Sequence, residues 1–137
     1  MAPMQQGMPE GYHTATPYLI VNDADRAVSF YQRAFGATEL RRSVDSGGTI
    51  RNVQIKVGDS PIMLGIRADD SEVVEQRHGD LPRVSIFLMV EDADRVFEQA
   101  VAAGATPLYA PADQSYGFRE GGIRDPFGIT WWIATPL

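Results

Sequence analysis

The residues able to do chemistry in this chain are few. With no cysteine among the 137 residues, a thiolate nucleophile, a disulfide framework, a zinc-thiolate site and an iron-sulfur cluster are all excluded. His13 and His78 are the two imidazoles, and Lys56, the single lysine, has no companion that would make it a Schiff-base residue. Asp23 with Asp25, and Asp92 with Asp94, are paired carboxylates of the kind used for acid-base work or calcium. Both pairs sit where helices begin, so capping of free N–H groups is the expected role. Arg119 and Asp125 near the final turn are residues that would form a structural ion pair, the favoured reading, or place an acidic or phenolic substrate. Gly117, Gly121 and Gly122 do not stand between a strand and a helix, so no dinucleotide or phosphate loop is indicated, and there is no G-x-S-x-G elbow. Gly121-Gly122 reads as a hairpin turn.

The elements that must position these groups are written twice. Leu19-Ile20-Val21-Asn22-Asp23-Ala24-Asp25-Arg26 is echoed by Leu88-Met89-Val90-Glu91-Asp92-Ala93-Asp94-Arg95, 69 residues later, as from Asp23 to Asp92. Each copy runs on to Gly-Ala-Thr, at Gly36 and at Gly104. A period near half the chain length fits two similar modules rather than a solenoid. Ala24, Ala27, Val28, Tyr31 and Phe35 recur at helical spacing behind the caps Asn22 and Asp23, and Gly36 suits a left-handed end. Ala93, Val96, Phe97, Ala100 and Val101 repeat the pattern up to Gly104. Apolar strands are expected before the helices, over residues 16–21 and 83–90, and three strands after each, parted by turns at Ser46-Gly47-Gly48, Gly58-Asp59-Ser60-Pro61 and Asp125-Pro126.

The fold class is therefore α+β: two βαβββ modules, about 12–66 and 83–137, forming a single domain over 12–137 with curled mixed sheets around a concave pocket. Residues 1–11 read as a loose, disordered tail, and 67–82 as the link between modules. In the run Arg51 to Val57, Val53, Ile55 and Val57 alternate with Asn52, Gln54 and Lys56, giving one face for a core and one polar face for the pocket. Twelve basic against eighteen acidic residues, a net charge of −6, leave no basic cluster for nucleic acid or for a membrane surface. With no signal peptide or spanning segment evident, a cytoplasmic location is expected.

These motifs resemble the vicinal oxygen chelate superfamily, which includes glyoxalases, bleomycin-resistance proteins and extradiol dioxygenases. The resemblance rests on Asn22-Asp23-Ala24-Asp25-Arg26-Ala27-Val28, Phe30-Tyr31, Ala34-Phe35-Gly36-Ala37, Gly117-Phe118-Arg119 and Asp125-Pro126-Phe127-Gly128-Ile129-Thr130-Trp131, in order from about Thr16 to Ala134, and is closest to the glyoxalase-like group with antibiotic-binding members. It implies a divalent metal held by His, Gln or Glu on the first and last strands of each module. The positions so implied carry Thr16, Ser85 and Trp132, with Met63 at or near the fourth, and Asn52 and Ile129 stand where relatives often have histidine. That set lacks charge compensation for a hard cation, so no metal and no other cofactor is expected.

The same residues suit a flat aromatic ligand. Trp131 and Trp132 are adjacent and must face opposite ways on a strand, Trp131 into the core and Trp132 into the pocket. Tyr18, Phe87, Met63, Tyr116 and Phe118 would line the pocket with Trp132, while Asn52, Gln54, Thr16 and Ser85 supply polar contacts. The expected function is metal-independent binding and sequestration of an aromatic small molecule, as by an antibiotic or natural-product self-resistance protein. The alternative is an enzyme, either a glyoxalase-type metal-dependent lyase or isomerase or a dioxygenase, or a metal-free relative using acid-base residues, which would need a titratable group facing the pocket; Arg119 and Glu120 could come from loops. Relatives commonly pair, so a homodimer is expected.

Overall fold

Asp23 and Asp92 start the two helices as their spacing predicts: each carboxylate accepts the backbone N–H three residues on, from Arg26 at 3.0 Å and from Arg95 at 3.1 Å. The computed structural model describes residues 10–67 and 82–137. Along the chain run β1 (Tyr18–Val21), α1 (Ala24–Phe35), β2 (Thr38–Val44), β3 (Ile50–Val57) and β4 (Ser60–Ile66), then β5 (Ile86–Met89), α2 (Ala93–Ala103), β6 (Thr106–Asp113), β7 (Phe118–Arg124) and β8 (Thr130–Pro136). The order is strand, helix, three strands, twice over. At the end of α1, Gly36 takes a left-handed conformation, φ 70°, that a side chain would disfavour, and returns its N–H to the last turn.

Each half builds one four-stranded mixed sheet, in the order β1-β4-β3-β2 and β5-β8-β7-β6. The first strand of each half pairs in parallel with the last, and the remaining pairs are antiparallel. The chain falls into two units that divide between β4 and β5, except that residues 33–35 group with the second. In the first unit β3 alternates as expected, burying Val53, Ile55 and Val57 and leaving Asn52, Gln54 and Lys56 half-buried. In the second, α2 packs against β6, β7 and β8. Trp131 and Ile133 on β8 and Ile123 on β7 are sealed there, and the Phe35 ring lies 4.6 Å from that of Trp131.

Several expectations change. Thr16 and Ser85 fall just outside β1 and β5, which are shorter than predicted. Gly121-Gly122 is not a turn but the middle of β7; the hairpin before β7 is made by Gln114 to Gly117, with Gly117 at φ 94°. Arg119 and Asp125 do not pair, because six residues of extended chain set them about 20 Å apart. Arg119 binds Asp94 at 2.8 Å and Asp113 at 3.1 Å. Asp125, buried, instead pins the last turn, accepting from the Phe127 and Ile129 N–H groups and from Trp131 Nε1 at 2.9 to 3.0 Å. Asp25 and Asp94 add ion pairs to their helix-end position, with Arg42 and Arg119. The tail over 1–11 and the link over 67–82, His78 included, lie largely outside the described residues. Among the described residues, no helix is long and apolar enough to cross a membrane.

Candidate functional site

In the second unit one sheet face gathers the aromatic residues. Phe87 on β5 pairs in register with Trp132 on β8, Trp132 with Gly122 on β7, and Gly122 with Tyr109 on β6. Residues in one such row point the same way. Across the bare backbone of Gly122 the rings of Trp132 and Tyr109 lean together and stack, centroids 6.1 Å apart and planes 28° from parallel. A Cβ at Gly122 would stand 3.0 Å from both rings, so glycine is what lets them close. The indole Nε1 of Trp132 donates to Ser85 Oγ at 2.7 Å. Phe87 meets Phe118 edge to face at 5.3 Å. Phe87, Tyr109 and Tyr116 all keep large exposed surfaces.

On the same face, two residues from Gly122 along β7 and opposite Ala134, lies Glu120, and only 5% of it is exposed. Tyr109 donates to its Oε2 at 2.5 Å and Tyr116 to the same atom at 3.0 Å. Burial first, then the bond to Glu120, pushes the Tyr109 phenol well above the usual tyrosine range, and Tyr116 moves the same way. Both hydroxyls therefore stay protonated and donating. Sequence reasoning placed Glu120 in a loop and missed Tyr109; the strand places Glu120 on the aromatic face. At the other end of that face Arg124 pairs with Thr130, and Arg124 Nε and Thr130 Oγ1 are buried with no hydrogen-bond partner among the described residues.

The first unit carries the other five expected residues. Tyr18 pairs with Met63, and Met63 with Gln54; Asn52 faces Gly65. Tyr18 is 55% exposed, and its ring lies over Gly65, where a Cβ would come within 2.6 Å of the hydroxyl. Gln54 Oε1 accepts from the Tyr12 hydroxyl. Thr16 is half-buried just before β1, and His13 is exposed.

The four positions at which a metal was implied do not form a donor set. The indole nitrogen of Trp132 is a donor only, and it occupies Ser85 Oγ. Thr16 and Met63 add no charge. Among the described residues no three His, Cys, Asp or Glu side chains gather in a way that could hold a metal ion.

The sequence profile of the Glyoxalase/Bleomycin resistance protein/Dioxygenase superfamily matches residues 12–133. An uncharacterised protein of Mycobacterium bovis is 35% identical over 129 residues, covering 89% of this chain and 82% of that one. Among solved structures, TioX from Micromonospora sp. ML1 is 28% identical with a TM-score of 0.66, over 90% of this chain and 95% of that one. The fosfomycin resistance protein FosX from Mesorhizobium loti shares the fold, with a TM-score of 0.63 at 18% identity over 90% and 91% of the two chains.

Proposed function

We propose that this chain, which belongs to the glyoxalase/bleomycin resistance protein/dioxygenase superfamily, binds and sequesters an aromatic small molecule without a metal ion. The observation that carries the reading is the row Phe87, Trp132, Gly122 and Tyr109, with Phe118 beside it, on one sheet face. Flat rings offer large contact area at small entropic cost, and each ring pair adds about 0.5 to 1.5 kcal/mol beyond burial. In this unit Ser85 is the polar contact assigned to orient the ligand, with Tyr116 as further surface. Donor chemistry supports metal independence: indole, thioether and hydroxyls do not compensate a divalent charge. Sequestration of an antibiotic or natural product, by a homodimer, is the role assigned to this binding. The fold does serve a protein described as a fosfomycin resistance protein.

One observation favours the enzyme reading. Glu120 is a titratable group on the ligand face, where an acid-base residue would have to stand. Native mass spectrometry of protein purified without chelator or metal-affinity columns separates the two readings. A metal-free dimer, with aromatic compounds quenching tryptophan emission on titration, is the expected result. One divalent ion per chain, removable by chelator, would overturn the binding reading in favour of a metal-dependent lyase, isomerase or dioxygenase.

A further inference from the structure

Among the described residues no cation neutralises the carboxylate of Glu120. Among the described residues it forms no ion pair: Arg119, its neighbour in sequence, points to the other face and is held by Asp94 and Asp113. Arg124, on the same face, is four residues away along an extended strand, about 13 Å. Buried carboxylates are ordinarily paired, because desolvating the charge is costly. Among the described residues two phenol hydroxyls compensate it, and both converge on Oε2. Oε1 accepts no hydrogen bond from the described residues, yet it is not among the buried oxygens cut off from solvent. The tyrosine that donates most closely, Tyr109, is also the one stacked on Trp132, so the open acceptor sits at the edge of the aromatic surface.

From this geometry we infer that Glu120 is the anchor for a cationic nitrogen, so that the ligand of this face is an aromatic amine whose ring lies on Trp132, Tyr109 and Phe87 while its ammonium reaches Glu120 Oε1. The inference rests on the aromatic-ligand reading and names its substrate class. Three features act together. The ammonium supplies the charge the buried carboxylate lacks. The faces of Trp132 and Tyr109 attract the same cation. The two tyrosine hydroxyls fix Glu120 in one rotamer before the ligand arrives, so little order is lost on binding.

The test uses the full chain and three naphthalene probes of one shape: naphthylethylamine, naphthylethanol and naphthylacetate, titrated by calorimetry at neutral pH. The amine is expected to bind about tenfold more tightly than the alcohol, as a charge-assisted bond implies, with the acetate weakest. In Glu120→Gln, which keeps the shape, amine and alcohol should converge to within about twofold while the alcohol is unchanged. Where Glu120→Gln does not fold, the N-acetyl derivative of the amine, which keeps the nitrogen and loses its charge, should bind the native protein no better than the alcohol does. Equal affinity of amine and alcohol for the native protein, survival of the preference in Glu120→Gln, or an N-acetyl probe that binds as tightly as the amine overturns the assignment and leaves aromatic binding standing. Binding of none of the three overturns both.

Discussion

The indole N–H of Trp132 is bonded to Ser85 Oγ at 2.7 Å. These are two of the positions at which the family resemblance implies metal ligands, and here they serve each other. The bond fixes the plane of the ring on which Tyr109 stacks. Ser85→Ala leaves the indole donor without its partner and should cost about 1 kcal/mol of stability, with a shift in tryptophan emission. Trp132→Ala removes the platform itself. It should lower the affinity for aromatic probes by about tenfold or more, since both a ring contact and apolar area are lost. The half-buried setting of Trp132 keeps the stability loss below that of a sealed tryptophan. Calorimetry on a folded Trp132→Ala protein with undiminished affinity would remove the aromatic face from consideration.

Gly122 offers a sharper test, because the change adds one methyl and removes nothing. The added Cβ would stand 3.0 Å from both flanking rings, and rings held by a hydrogen bond on one side and a carboxylate on the other have little room to retreat. Gly122→Ala should destabilise by about 1 to 3 kcal/mol, as overpacking does, and should spread the Trp132–Tyr109 stack. A chemical-denaturation midpoint equal to that of the native chain would show that the stack is not set by this contact.

Much of this was legible in the chain. The repeat offset of 69 residues, read from Asp23 and Asp92, reappears as register: Tyr18 faces Met63, and Phe87 faces Trp132, each pair one repeat from the other. Alternation on β3 and the opposite facing of Trp131 and Trp132 follow from strand geometry alone. Tyr109 was hidden because β6 slips register on either side of it, between Pro107 and Tyr109 and again before Ala112, so counting by twos fails there. Glu120 was hidden by its neighbours. Gly121-Gly122 reads as a turn in isolation, and the reason for glycine is long-range: Pro111 crowds the first and two rings crowd the second. Such demands come from strands distant in sequence and leave no local pattern.

Asp125 is predicted to be structural. Its Oδ1 holds two backbone N–H groups of the turn into β8, and its Oδ2 holds the Trp131 indole. Asp125→Asn sets an amide donor against one set of those donors, leaving a buried N–H unsatisfied at a cost of about 1 to 3 kcal/mol. Ligand affinity should be retained by the protein that remains folded, because Trp131 lies on the face opposite Trp132. A large loss of affinity with an unchanged denaturation midpoint would instead assign Asp125 to the site.

Tyr109 should make the fold sensitive to alkali. Burial, then the hydrogen bond to Glu120, raises its phenol in the folded chain, whereas in the unfolded chain it ionises at about 10. Above that pH the unfolded state sheds a proton that the folded state keeps, so stability is fully present below about pH 10 and falls as the pH rises further. Tyr109→Phe has no such proton. It should be less stable at neutral pH, having lost a donor to a buried carboxylate, yet lose less on going from about pH 9 to 11. Urea midpoints for the two proteins across that range measure the difference. Parallel declines would mean that the Tyr109–Glu120 bond does not hold the proton in solution, and the fixed carboxylate on which the amine site depends would lose one of its two supports.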